Sequence, residues 1–223
     1  MSTKDIKSHL ADKYSDYLDT ISMMSKSDDG KILVNDERKL YNFDKITEAL
    51  YGNQHPESVD SMYASKRKIY FVEYKSGFKK KINKKNFKKE NMTCPDDEGK
   101  YCEPYAKLFF ENQKNENKIL YHSIYMKAIE SYVTFMKEIE ANSDEDGIRK
   151  TLILCVVIDD YVESMEDTLT ELAKKPSETN SMTSLRQSLS RLHKNSKKDY
   201  YYDEIRVLSP YEFKKSVTQN MLN

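Results

Sequence analysis

"SVDSMYASKRKIYFVEYKSG", residues 58–77, decides the fold. Its apolar, aromatic run Ile69-Tyr70-Phe71-Val72 predicts a strand over 68–75, and the run leads straight into Glu73-Tyr74-Lys75. The polar corner Ser65-Lys66-Arg67 separates this strand from another at 58–64, a layout that predicts a hairpin. Side chains two apart on a strand share a face, so Glu73 and Lys75 point the same way. With the turn at Ser65 to Arg67, Asp60 lies across the hairpin from Glu73 as an approximate cross-strand neighbour.

The tripeptide alone means little in a chain in which a third of the residues are charged. Glu-x-Lys also occurs at Glu37/Lys39, at Glu98/Lys100 in the aperiodic 76–104 stretch, and at Glu116/Lys118 and Glu212/Lys214. The last two fall at predicted helix starts, where residues two apart diverge by about 200°. Asn35-Asp36 interrupts the apolar run ahead of Glu37. Only Glu73/Lys75 lies on a continuing strand, with a placed aspartate to join it. A hard divalent cation takes one or two carboxylates plus water and phosphate oxygens, so a second acid beside Glu73 is what metal chemistry needs.

Outward from the hairpin, Ile6, Leu10, Tyr14, Tyr17, Leu18 and Ile21 predict an amphipathic helix over 4–24. Lys31–Val34 reads as a short strand, and 44–51 as a helix stopped by Gly52-Asn53. Residues 76–104 are Lys-rich and aperiodic, hence an insertion. A helix is expected from Tyr105 to Ile139, broken near Asn115, with a stripe of Leu120, Ile124, Ala128, Tyr132, Phe135 and Ile139. "KTLILCVVI", residues 150–158, is β-branched and continuous, as a buried strand is. Helices over 163–175 and around Leu185, Leu189 and Leu192, a strand at "DEIRVLS" and a closing helix over 211–221 complete the chain. The expectation is α/β: a mixed central sheet flanked by helices, with residues 1–30 a helical N-terminal extension and 31–223 the domain.

The 223 residues carry 37 basic and 37 acidic side chains, so charge predicts neither a basic nucleic-acid binder nor an acidic tail protein. The 17 tyrosines argue for a folded chain. Three cysteines without a CxxC spacing give no disulfide framework. The start lacks the apolar core of a signal peptide, and the longest apolar run, Leu152–Ile158, is too short to span a bilayer. A cytoplasmic protein with no membrane partner is expected.

"VDSMYASKRKIYFVEYKSG" resembles the core motif of the PD-(D/E)XK nuclease superfamily, the restriction-endonuclease-like fold, in which an Asp precedes a strand ending in Glu-x-Lys. The motif covers about twenty residues, and the element order about 44–160. Val59 stands where many members have Pro. The resemblance implies that Asp60, Glu73 and the carbonyl of Tyr74 hold Mg²⁺ or Mn²⁺, that Lys75 orients the attacking water, and that Glu48 is a further acid on the preceding helix. It implies phosphodiester hydrolysis, with DNA expected ahead of RNA, and a homodimer, as many members form. The same fold used as a non-catalytic nucleic-acid or protein binding module is the alternative.

Beside the motif, "KSGFKKKINKKNFKKE" is the one strongly basic cluster, and Lys79, Lys80, Lys81, Lys84, Lys85, Lys88 and Lys89 are candidates for a phosphate backbone. Cys94 and Cys102 with His122 or His55 lack a zinc-site spacing. Cys155 belongs to the core. Asp159-Asp160 end the buried strand, where acids cap or turn more often than they bind metal.

Overall fold

The computed structural model describes residues 5–78, 103–141, 150–159, 181–193 and 201–218. The expected hairpin is present: β3 (Ser61–Ala64) pairs antiparallel with β4 (Lys68–Lys75), Met62 opposite Phe71 and Ser61 opposite Val72. Ser65 closes the turn twice over. Its N–H and hydroxyl donate to the carbonyl of Lys68, and its hydroxyl accepts the Lys68 N–H.

β4 is also the point at which the sheet changes character. On its other side runs β5 (Thr151–Ile158), parallel to it over its whole length, and beyond that β6 (Glu204–Leu208), again parallel. Parallel neighbours need a crossover connection, and the long helix α4 (Glu103–Thr134) lies between β4 and β5 in the chain. Before the hairpin come β1 (Leu18–Thr20) and β2 (Lys39–Asn42), antiparallel to one another, with β2 antiparallel to β3. The result is a six-stranded mixed sheet in the order β1-β2-β3-β4-β5-β6. The α/β class with a mixed sheet and flanking helices is as expected.

Alternation along β4 and β5 sorts side chains to two cores. Ile69, Phe71, Leu154, Val156 and Ile158 face α1 (Ile6–Tyr14), α3 (Phe43–Tyr51), α4 and α5 (Ser181–Leu189). Tyr70, Val72, Tyr74, Ile153, Cys155 and Val157 face the opposite side, where α2 (Ile21–Met24), Leu33, Val34 and Phe213 pack. Phe71 centres the first core, with Phe43, Phe135 and Tyr202 edge-on at 5.8, 5.4 and 5.6 Å between ring centroids. The Tyr202 hydroxyl, buried at the same place, donates to the Ala128 carbonyl at 2.7 Å.

Several expectations are corrected. The helix predicted over 4–24 ends at Tyr14; a 3-10 turn and β1 follow, and Thr20 caps α2 by accepting the Met23 N–H. Residues 1–30 are therefore not a purely helical extension. They supply an edge strand, and Ile6, Leu10 and Tyr14 are buried in the same core as Phe71. Lys31–Val34 is not a strand; apart from the bridge of Lys26 to Ile32 it is irregular, and Ser25 ties it down by exchanging hydrogen bonds with Val34. The true second strand, 39–42, was not expected. The break near Asn115 is absent, since α4 runs unbroken and continues as a π-helix over Phe135–Glu140.

The helix at α3 is as read: Asn42 accepts the Lys45 N–H at its start, and Gly52 at φ 69° ends it by donating to the Glu48 carbonyl. The helix expected over 163–175 and all seven lysines from Lys79 to Lys89 lie outside the described residues. No described helix is long and apolar enough to cross a membrane.

Candidate active site

The site forms at the end of the sheet where β3 begins and β4 finishes. Asp60 directly precedes β3, and its carbonyl accepts the Phe43 N–H in continuation of the β2–β3 ladder. The β3–β4 register, carried one step past Ser61–Val72, sets Asp60 opposite Glu73. Parity puts Glu73 and Lys75 on the Phe71 face, towards α4. This is also the carboxyl end of β5, the edge of a parallel sheet where ligand crevices open.

Asp60 is held by its own hairpin. The Tyr74 N–H donates to Oδ2 at 2.6 Å, so the residue whose carbonyl was expected to bind metal contacts Asp60 through its amide. The Tyr74 ring lies on the opposite face, edge-on to Phe213, and its hydroxyl is 3.4 Å from that of Ser61. Glu73 is fully buried, with the Lys75 ammonium 2.7 Å from Oε1.

A fourth group completes the cluster, and it was not anticipated. Lys127, midway along α4, places Nζ 3.2 Å from Glu73 Oε1, 3.4 Å from Oε2 and 3.7 Å from Asp60 Oδ1. Two oxygens so close to one nitrogen are less than about 7 Å apart, so Lys127 links Asp60 and Glu73 in one cluster. The one signal available for Lys127 was its place beside Ala128 and three residues after Ile124, on the helix stripe expected to face the core.

α4 also positions Asp60 through the backbone ahead of it. The buried Ser131 hydroxyl accepts the Val59 N–H at 2.8 Å, and Glu130 accepts that of Glu57 at 2.5 Å. From α3, Asp44 accepts the Ser58 hydroxyl at 2.5 Å. One turn further along α3, Glu48 is exposed, and no contact among the described residues joins it to Asp60 or Glu73. Just past this same end of β4, Gly77 takes φ 72° and donates its N–H to Asp159 at 2.6 Å, which ties β4 to the end of β5. Asp159 thus serves a turn; Asp160, Cys94 and Cys102 lie outside the described residues. His122 is exposed on α4, and Cys155 is buried, its thiol pushed up to about 12 by burial.

The electrostatics follow from the crowding. Burial first, and then the Glu73 carboxylate, push Asp60 up to about 8, against the pull of Lys127, the Tyr74 N–H and Lys75. Burial works against the Lys127 ammonium, yet Glu73 and Asp60 outweigh it and hold its pKa above the ordinary lysine value. Both ammonium groups lie against Glu73 Oε1, Lys75 at 2.7 Å and Lys127 at 3.2 Å, so ion pairs answer the charge of this buried oxygen. Two neighbouring carboxylates are hard oxygen donors of the kind Mg²⁺ takes, and two suffice when water and phosphate oxygens complete its shell. By this test Asp60 and Glu73 fit a divalent ion. Among the described residues no group of three or more His, Cys, Asp or Glu is arranged to hold a metal.

No family model matches this chain, and no curated protein or solved structure is significantly similar.

Proposed function

We propose that the chain is a Mg²⁺-dependent phosphodiesterase of the restriction-endonuclease-like class, cutting DNA. One observation carries the reading: Asp60, Glu73 and Lys75, singled out by their pattern, converge at one end of the β3–β4 hairpin, with the Lys75 ammonium 2.7 Å from Glu73. The order of elements adds support, since the hairpin, the long helix and then β5 follow in the order that the resemblance implies.

In this reading Asp60 and Glu73 hold the ion. When bound, Mg²⁺ supplies Lewis-acid polarisation of a phosphodiester oxygen and a water of lowered pKa. Lys75 orients the attacking water and offsets negative charge on the phosphorus centre as it becomes five-coordinate. The Tyr74 N–H fixes one Asp60 oxygen and leaves the other towards the shared space. Lys79 to Lys89 follow directly on Lys75 in the chain, and would track the phosphate backbone with an affinity that falls as salt rises.

Plasmid and single-stranded DNA incubated with the protein and Mg²⁺ or Mn²⁺ test this. Cleavage that needs the ion and is lost in both Glu73→Gln and Lys75→Ala is the expected result.

A second reading, a non-catalytic binding module, has one observation in its favour: Lys75 and Lys127 already balance the two acids. DNA binding without cleavage, unchanged by Glu73→Gln, would establish it in place of the nuclease.

A further inference from the structure

The ammonium of Lys127 is the only group among the described residues that touches both acids, at 3.2 Å from Glu73 and 3.7 Å from Asp60. Lys75 touches Glu73 alone. We propose that Lys127 is the resident counter-cation of the Asp60–Glu73 pair, holding the space that a divalent ion needs and setting how tightly the protein takes one up. The proposal rests on the nuclease reading for the identity of the competing ion.

The reasoning is one of charge and room. The carboxylate oxygens nearest Nζ are those through which the pair would ligate a metal. A second cation within a few ångströms of the ammonium is repelled, most strongly where water is scarce, and the Glu73 side chain is only 1% exposed. In the ionised form that ligates metal, two carboxylates and two ammonium groups sum to zero, so an added divalent ion leaves the cluster doubly positive unless Lys127 departs or an anion arrives.

Lys127 is built to depart. Its charge sits at the end of a flexible four-carbon stem, and 19% of the side chain is exposed, so the ammonium can move to solvent while α4 stays fixed. One turn on, Glu130 and Ser131 anchor the helix to the backbone at Glu57 and Val59, independently of the lysine. Metal uptake by the free protein is therefore weak, and a phosphodiester, which attracts the displaced ammonium, strengthens it. Lys127 is a positioning residue in this scheme, acting through the occupancy of the acid pair.

Titrating Mn²⁺ into the metal-free full-length protein, with free ion counted by its paramagnetic resonance signal, reads the competition without nucleic acid. Lys127→Met is expected to bind Mn²⁺ about tenfold more tightly than wild type, and Glu73→Gln to lose binding. Equal or weaker binding by Lys127→Met, with binding still lost in Glu73→Gln, overturns the proposal and leaves the metal site standing. If neither wild type nor Lys127→Met binds Mn²⁺ at millimolar concentration, the acid pair is no metal site, and the nuclease reading falls along with the proposal.

Because Lys127→Met leaves two acids less balanced, the wild type provides a second measurement. Acetylation by an amine-reactive ester, mapped by mass spectrometry, should label Lys127 several-fold faster once Mn²⁺ is added. Labelling that Mn²⁺ leaves unchanged means the ammonium stays in place and overturns the proposal.

Discussion

Asp60 carries the strongest electrostatic consequence of any single residue in the site. Its folded pKa is raised from 3.8 to about 8, by burial and then by Glu73. Between those values the folded chain binds a proton that the unfolded chain has released, so the contribution of this group to stability falls as pH rises through roughly 4 to 8. Lys127 does not oppose this slope. Its raised pKa contributes stability that is fully present below the ordinary lysine value and is lost only at higher pH. Urea unfolding in a chelator at pH 5 and pH 8 should show the wild type less stable at pH 8, and Asp60→Asn should flatten the difference. A wild type equally stable at both would mean that Asp60 is ionised without penalty.

At the scale of elements, α4 is what turns a common hairpin into a defined site. It delivers Lys127 and, through Ser131, pins the backbone one residue ahead of Asp60. Ser131→Ala strands a buried Val59 N–H, which costs about 1–3 kcal/mol. A lower midpoint in thermal unfolding, together with reduced cleavage, is expected. Ser131→Thr, which keeps the hydroxyl, should restore part of both. The hairpin itself was legible because a polar corner and a β-branched, aromatic run admit few alternatives, and "KTLILCVVI" for the same reason. β2 was not legible: Lys39-Leu40-Tyr41-Asn42 is four residues long, without a clear alternation, and owes its conformation to pairing on both sides. β1 was hidden because Tyr17, Leu18 and Ile21 fall at helical spacing, while the Thr20 cap that starts a new helix at Ile21 competes with it. In the site, Asp60, Glu73 and Lys75 could be read from period two and a turn. Lys127 could not be selected, since a lysine on a helix of mixed polarity ordinarily faces water.

The whole molecule behaves as a unit from its first described residues. Ile6, Leu10 and Tyr14 share a core with Phe71 and Tyr202, so the segment expected as an appendage is structural. Ile6 and Leu10 each contribute on the order of 1.5–3 kcal/mol by burial. Losing both removes a large share of a domain's stability, about 5–15 kcal/mol. Removing residues 1–20 should therefore abolish the cooperative melt followed by circular dichroism; a truncated chain that melts sharply near the wild-type temperature would restore the appendage view.

In this sheet the spatial order of the strands repeats their order in the chain. Each strand that leaves the ribosome therefore meets an edge already laid down, and none has to be inserted between two others. Synthesis then dictates a history for the site. Asp60 and Glu73 are brought face to face by the fourth strand, more than fifty residues before Lys127 is made. For that interval the newborn chain carries its acid pair with only Lys75, among the described residues, to answer it.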